Sequence, residues 1–182
     1  MDVVKLGAYL FFISAVAAAA LSATSSFTKE RIEQNRKAKI EASFREVMPD
    51  AAKFEPCKLV KETGAVDARK AVDAAGKLIG YVAQLEPSGY ADKIVVVVGV
   101  DLDKHVTGVS IARDSETPGL GKKINLPSFR DQFKSKTAAD VRLKKDAPEG
   151  KIDAITAATI SSRAVTDAIR KLLDNFGEEP GK

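Results

Sequence analysis

The chain has 182 residues, 45% hydrophobic and 30% charged, which suits one domain of ordinary size with appendages. Its formal net charge of +4 is mild, lysines alternate with acids, and no aromatic platform interleaves with them, so nucleic-acid binding is not expected. One cysteine, Cys57, excludes an internal disulfide; with His105 the one histidine, a Cys/His metal site is nearly excluded and a catalytic Cys–His pair is not expected.

The first element is apolar. Leu6 to Thr28 runs for 23 residues without a charge. At about 1.5 Å per residue this covers about 34 Å, enough to cross a hydrocarbon core of about 30 Å. Residues 1–28 are read as a single transmembrane anchor in contact with membrane lipid. The alternative is a cleaved signal peptide with a small-residue site such as Ala18-Ala19-Ala20. The long charge-free stretch, running directly into a helical pattern, favours the anchor. Lys5 precedes the span, and Lys29, Arg31, Arg36, Lys37 and Lys39 follow it. That count alone keeps the following domain in the cytoplasm, although long domains translocate despite such flanks.

Residues 29–48 read as a helical stalk. Ile32, Ile40, Phe44 and Val47 make a loose apolar stripe, and Pro49-Asp50 stops the helix. Residues 49–182 then form an α+β domain, a mixed but mainly antiparallel sheet with flanking helices. Strands are predicted at 58–62, 69–74 and 77–85, with a turn at Ala75-Gly76. The β-branched run from Ile94 to Val100 predicts a central strand buried on both faces. It pairs with 106–112 across a polar turn in which His105 is solvated. Cys57 reads as a passive thiol. A short helix is expected at 126–134 and an edge strand at 141–144. The last helix spans 162–176, with Val165, Ala168, Ile169, Leu172, Leu173 and Phe176 facing the core. Ser161 or Ser162 is its expected N-cap, and Gly177 its C-terminal stop.

Two loops remain unexplained by turn chemistry. Asp153-Ala154-Ile155-Thr156-Ala157-Ala158-Thr159-Ile160-Ser161-Ser162 places four hydroxyls among small and aliphatic residues, directly before a helix. A helix N-terminus offers unpaired N–H groups and a positive dipole end, so this reads as a phosphate site, with covalent attachment open. The other loop is Asp114-Ser115-Glu116-Thr117-Pro118-Gly119-Leu120-Gly121-Lys122. Pro118-Gly119 suits the centre of a type II turn. Glu116, Thr117, free backbone amides and Leu120 between Gly119 and Gly121 suit a flat heterocycle with polar edges.

With these residues in view, the loop from Ser115 to Gly121 resembles the signature loop of the FMN-binding domain in RnfG, the G subunit of Rnf electron-transport complexes. The C subunit of the sodium-translocating NADH:quinone reductase has a similar loop. The stretch from Asp153 to Ser162 resembles the flavinylation motif of those proteins, Asp-x-x-(Ser/Thr)-Gly-Ala-Thr-x-(Ser/Thr). The order of membrane helix, β-rich domain, loop, motif and closing helix also matches, so the likeness covers nearly the whole chain.

The resemblance implies FMN held covalently on Thr159 through a phosphoester. It implies that Thr156, Ala158, Ser161 and Ser162 lie at the phosphate and Glu116, Thr117, Gly119, Leu120 and Gly121 at the ring. Asp153 matches the acidic residue read by the flavin transferase. Ala157 departs from the pattern, because the family has glycine there. The implied role is electron relay between ferredoxin and NAD, coupled to Na+ or H+ translocation, with no catalytic residue or metal of its own. The implied partners are the other membrane, flavin and iron–sulfur subunits of the Rnf complex. The implied location is the cytoplasmic (inner) membrane, single-pass, with the C-terminal domain on the extracytoplasmic side, against the lysine count. The alternatives are the quinone-reductase protein, whose chains are longer, and a non-flavin extracytoplasmic domain for a phosphate-bearing ligand.

Overall fold

The computed structural model describes residues 3–59 and 61–177. The chain divides into two compact units after Lys39. The first unit is the leading part of α1 (Val3–Val47). Within it, Val3–Ser22 is long and apolar enough to cross a membrane, and none of it is buried. Tyr9, Leu10, Phe11, Phe12 and Ile13 are all exposed, so the apolar surface runs round the helix rather than along one stripe. Such a helix matches lipid on every side. Thr24 and Thr28 turn their hydroxyls back to the carbonyls of Ala20 and Thr24, at 2.9 and 2.7 Å. Each thus satisfies its own polar group within the helix.

The second unit begins at Ile40, in the last turns of α1. Its sheet contains β1 (Lys53–Cys57), β2 (Ala65–Val72), β3 (Leu78–Leu85), β4 (Val95–Asp101) and β5 (Val106–Arg113), in that spatial order. Every ladder is antiparallel. The connections are too short for the crossover that a parallel pair needs. The parallel component of the expected mixed sheet reduces to one isolated bridge, Leu143 with Ile152.

β4 is the central strand that its β-branched run predicts. Val96, Val98 and Val100 enter a large core with Leu85, Ile124, Phe133, Ile152 and the last helix. Val97 enters a smaller core on the other face, with Phe44, Val47, Met48, Ala71 and Val82. The expected stalk stripe is corrected at its start. Phe44 and Val47 are buried and Ile40 packs beside them, but Ile32 is exposed. It lies ahead of the point where the helix meets the sheet.

Three other expectations change. The strand expected at 58–62 does not form over its described residues; Lys61–Thr63 is a 3-10 turn, and the first strand is Lys53–Cys57. That strand contains Pro56, which an edge strand tolerates because one side of its backbone pairs with nothing. The segment 141–144 is also not a strand. Val141 and Leu143 are buried as single anchors of an irregular stretch, and the pairing is the one bridge. The helix expected at 126–134 is split into α2 (Pro127–Arg130) and a 3-10 turn at Asp131–Phe133. Phe129 and Phe133 from this pair stack edge to face at 5.4 Å, both inside the core.

The last helix, α3 (Thr159–Asp174), starts three residues earlier than its apolar stripe suggests. Its N-cap is Ala158, with no side-chain cap bond, rather than Ser161 or Ser162. Both serines lie inside the first turn and are buried. Asn175 caps the other end, so Gly177 falls outside it. The stripe itself holds: Val165, Ile169, Leu172 and Leu173 are buried, Ala168 packs against them, and Phe176 meets Tyr81 at 5.3 Å.

A polar tie joins the end of α1 to the sheet. Thr107 donates to the carbonyl of Val47 at 2.7 Å. Glu46 accepts from Ser110 at 2.5 Å and from Arg130 at 2.6 Å. Partial burial raises the Glu46 pKa, but the hydrogen bonds from Ser110 and Arg130 outweigh it and hold the carboxyl below its ordinary 4.5. A depressed folded-state pKa contributes stability above the unfolded value and loses it as pH falls through the folded one. Because Glu46 is half exposed, the contribution is about 1 kcal/mol or less. Glu46→Gln should therefore flatten the acid limb of the stability curve below about pH 5. Chemical unfolding of the full chain in detergent across that range checks this; equal slopes for the two proteins would remove the tie from the account.

Candidate functional site

The loop after β5 is held from within. The Asp114 carboxylate accepts from the Glu116 amide at 3.2 Å and from Asn125 Nδ2 at 2.9 Å. Thr117 to Leu120 closes as the expected turn, with the Leu120 amide donating to the Thr117 carbonyl at 3.2 Å. Gly119 sits at its third position with φ +78°, the left-handed value a type II turn requires there. This places Leu120 outward and partly exposed.

The second loop closes in the same way. The Ala158 amide donates to the Ile155 carbonyl at 2.9 Å, a tight turn with Thr156 and Ala157 at its centre. Ala157 has φ +63°. This is the turn position that favours glycine, which gives the family's glycine its physical reason. A left-handed alanine costs roughly 1–2 kcal/mol, of which a glycine's extra unfolded-state freedom returns a part. Ala157→Gly should stabilise the fold by on the order of 0.5–1 kcal/mol. Thermal unfolding of the full chain measures this, and a lower midpoint would show the turn is not strained.

The two loops meet. A cavity of about 530 Å³ lies between them. The first loop lines it with Glu116, Thr117, Leu120 and Gly121, and the start of α3 with Ala157, Ala158, Thr159, Ile160 and Ser161. Tyr90, from the turn between β3 and β4, completes the wall. Its volume is that of a small-molecule cleft. Thr159 is half-buried at the helix start, where first-turn N–H groups have no helical carbonyl to serve. The donor set fits a phosphate at this end. Leu120, Ile160 and Tyr90, all partly or largely exposed, supply apolar surface for a flat ring.

Of the expected site residues, Glu116, Thr117, Leu120, Gly121, Ala158, Thr159 and Ser161 line this cleft. Four do not. Gly119 shapes the turn without lining the cavity. Ser162 is fully buried; it accepts from the Ile155 amide at 3.0 Å and donates to the Ala158 carbonyl at 2.9 Å, so it builds the turn. Asp153 and Thr156 line a separate, shallower hollow with Gln132 and Lys123. Asp153 is held there by Lys144 at 2.7 Å, and its amide donates to Gln132 Oε1 at 2.7 Å. Ile160 and Tyr90 line the cleft without having been expected there. Ile160 fills a variable place in the motif, and Tyr90 belongs to a turn with no local signal.

The ion pairs around the motif are exposed. Asp146 is held below the usual carboxylate range, chiefly by hydrogen bonds from Arg163, at 2.6 and 2.7 Å. The same bonds raise Arg163. Among the described residues no group of acidic, histidine or cysteine side chains is arranged to hold a metal.

Comparison with known proteins identifies the family. Residues 89–174 match the FMN-binding domain family. The chain is 35% identical to the G subunit of an ion-translocating oxidoreductase complex of Methanosarcina acetivorans, over 99% of this chain and 97% of that protein. It is 37% identical to the G subunit of the Na(+)-translocating ferredoxin:NAD(+) oxidoreductase complex of Acetobacterium woodii, over 92% and 88%. Among solved structures, the C subunit of the Na(+)-translocating NADH-quinone reductase from Parabacteroides distasonis shares the fold. Its TM-score is 0.59 at 19% identity, over 79% of this chain and 92% of that one. Two loops closing on one cleft, an FMN-binding domain and near full-length likeness to these proteins lead to one conclusion: the chain belongs to the RnfG family, the G subunits of Rnf-type ion-translocating oxidoreductase complexes.

Proposed function

We propose that this chain is a membrane-anchored electron carrier that holds FMN through a phosphoester on Thr159. Within its complex it relays electrons between ferredoxin and NAD, coupled to Na+ or H+ translocation. The observation that carries this reading is the position of Thr159. It is half-buried at the first residue of α3, on the wall of the cavity that the Thr117–Gly121 turn also lines. When bound, FMN supplies the redox chemistry. The chain supplies position. Thr159 Oγ anchors the phosphate, first-turn amides and the helix dipole offset its charge, and Leu120, Ile160 and Tyr90 shield the ring from water.

Asp153 is exposed and lies outside the cleft, paired with Lys144. That placement suits a residue read by a flavin transferase rather than one that contacts bound flavin. Residues 1–28 anchor the chain in the cytoplasmic membrane, residues 29–48 form the stalk, and the FMN-binding domain from residue 49 works on the extracytoplasmic side.

The test is direct. The full chain, produced in membranes with a flavin transferase present, should give a band that fluoresces under ultraviolet light after denaturing electrophoresis. A dark band would end the covalent reading and leave a phosphate-ligand domain in its place.

A further inference from the structure

The wall of the cleft contains a carboxylate that the binding of a ligand does not explain. Glu116 is 3% exposed. One oxygen, Oε1, accepts from the amides of Tyr90 at 2.8 Å and Ala91 at 3.3 Å. The other, Oε2, accepts from the Ser161 hydroxyl at 2.6 Å, and Ser161 is itself 1% exposed. Both oxygens are thus engaged by the protein. Three segments far apart in sequence converge on one side chain: the turn between β3 and β4, the loop after β5, and the first turn of α3.

The surroundings are cut to admit that carboxylate. A Cβ on Gly89 would lie 2.2 Å from Oε1, and one on Gly121 would lie 2.4 Å from Oε2. Any side chain at either position would displace Glu116 or its partners. The turn at residues 87–94 also closes on itself, with the Gly89 amide donating to Asp92 at 2.9 Å and the Ile94 amide to Pro87 at 2.9 Å. Glu116 therefore receives a preformed pair of amides rather than ordering a loose loop.

We infer that Glu116 is a positioning residue for the flavin site, not a ligand of the flavin. It clamps the Tyr90 turn and the first turn of α3 onto the ring-binding loop. In doing so it fixes the distance between Thr159, where the phosphate attaches, and the Tyr90 and Leu120 surfaces, where the ring lies. The inference rests on the reading of Thr159 as the attachment point. Hydrogen bonds to a charged acceptor are the strong kind, and burial makes their loss costly, so the clamp is stiff.

Two measurements on the full chain in detergent test this: amide hydrogen exchange by mass spectrometry, and the rate of flavin attachment by the transferase. Glu116→Ala should lower protection at Tyr90 and Ala91 by roughly tenfold or more, and slow attachment to an intact Thr159 by a similar factor. Glu116→Gln keeps an amide oxygen for both N–H groups and should restore both readouts to within about threefold of wild type. Ser161→Ala cuts only the other leg. It should leave Tyr90 and Ala91 protected while loosening the first turn of α3. Wild-type exchange at Tyr90 and Ala91 in Glu116→Ala would overturn the clamp, as would wild-type attachment. If Glu116→Ala fails to fold, Glu116→Asp, one methylene too short to reach both segments, takes its place, and wild-type exchange at Tyr90 and Ala91 in that variant overturns the clamp equally. If wild type itself takes no flavin, the Thr159 reading fails, and the exchange data alone still decide whether Glu116 ties the cleft together.

Discussion

Thr159→Ala is expected to lose covalent flavin completely while the domain stays folded. The side chain is only half-buried, so its truncation should remove little packing. Replacing threonine with alanine at the first residue of a helix also carries little penalty from helix propensity. The effect on attachment is absolute, because the Oγ that would carry the phosphoester is gone. Thr156→Ala is the matched control. Thr156 lies three residues earlier, is exposed and borders the other hollow, so its loss should leave the fluorescent band in place. Thr159→Ser, which keeps an Oγ, should retain part of the signal. A fluorescent Thr159→Ala band, or a dark Thr156→Ala band with bright Thr159→Ala, would move the attachment point elsewhere in the loop. Circular dichroism on each variant separates lost attachment from lost fold.

The largest expected stability effect lies in the helix that carries Thr159. Leu172→Ala should destabilise the domain by about 2–5 kcal/mol. Leu172 is fully buried, in the cluster that joins α3 to β4 through Val96, Val98 and Val100. Truncation removes apolar burial and leaves a cavity that a close-packed sheet and helix cannot collapse to fill. The result bears on function, because the packing that seats α3 on the sheet also holds its N-terminus against the loop after β5. Urea or thermal unfolding of the full chain in detergent gives the number. An effect below about 1 kcal/mol would mean that this face of α3 is not the packed one.

The geometry separates the two ends of the stretch from Asp153 to Ser162. Asp153 faces solvent beside Lys144 and Gln132, while Thr159 faces the cleft. The tight turn with Ala157 at its centre divides them. Under the function proposed above, a flavin transferase would contact the exposed half without entering the cleft. Ser162, for its part, stabilises this turn from inside.

Local chemistry was enough for several elements. The run from Ile94 to Val100 predicts a strand buried on both faces, because β-branched side chains with no polar alternation fit nothing else at that length. The stripe of α3 follows from its 3.6-residue period. The type II turn at Pro118-Gly119 follows from proline's fixed φ and glycine's freedom at positive φ. The two loops themselves were also legible, since such runs of small residues, hydroxyls and glycines break the apolar periodicity of the elements around them.

Tertiary structure decided the rest. β1 was hidden because Pro56 and charged neighbours do not look like a strand, and only pairing with β2 along the sheet edge makes them one. The start of α3 moved to Thr159 because its serines are used inward, Ser161 toward Glu116 and Ser162 toward Ile155 and Ala158, instead of capping. Tyr90 lines the cleft beside Glu116, and Glu116 is hydrogen-bonded to the Tyr90 amide and to Ser161. Those bonds span 26 and 45 residues of chain, beyond the reach of any local pattern. Sequence by itself determined the membrane-compatible helix, the central strand, the closing helix and the two loops, because each depends on side chains a few positions apart. Which of those side chains face the cleft and which build its walls depends on contacts across the folded sheet, and those exist only once the chain has closed.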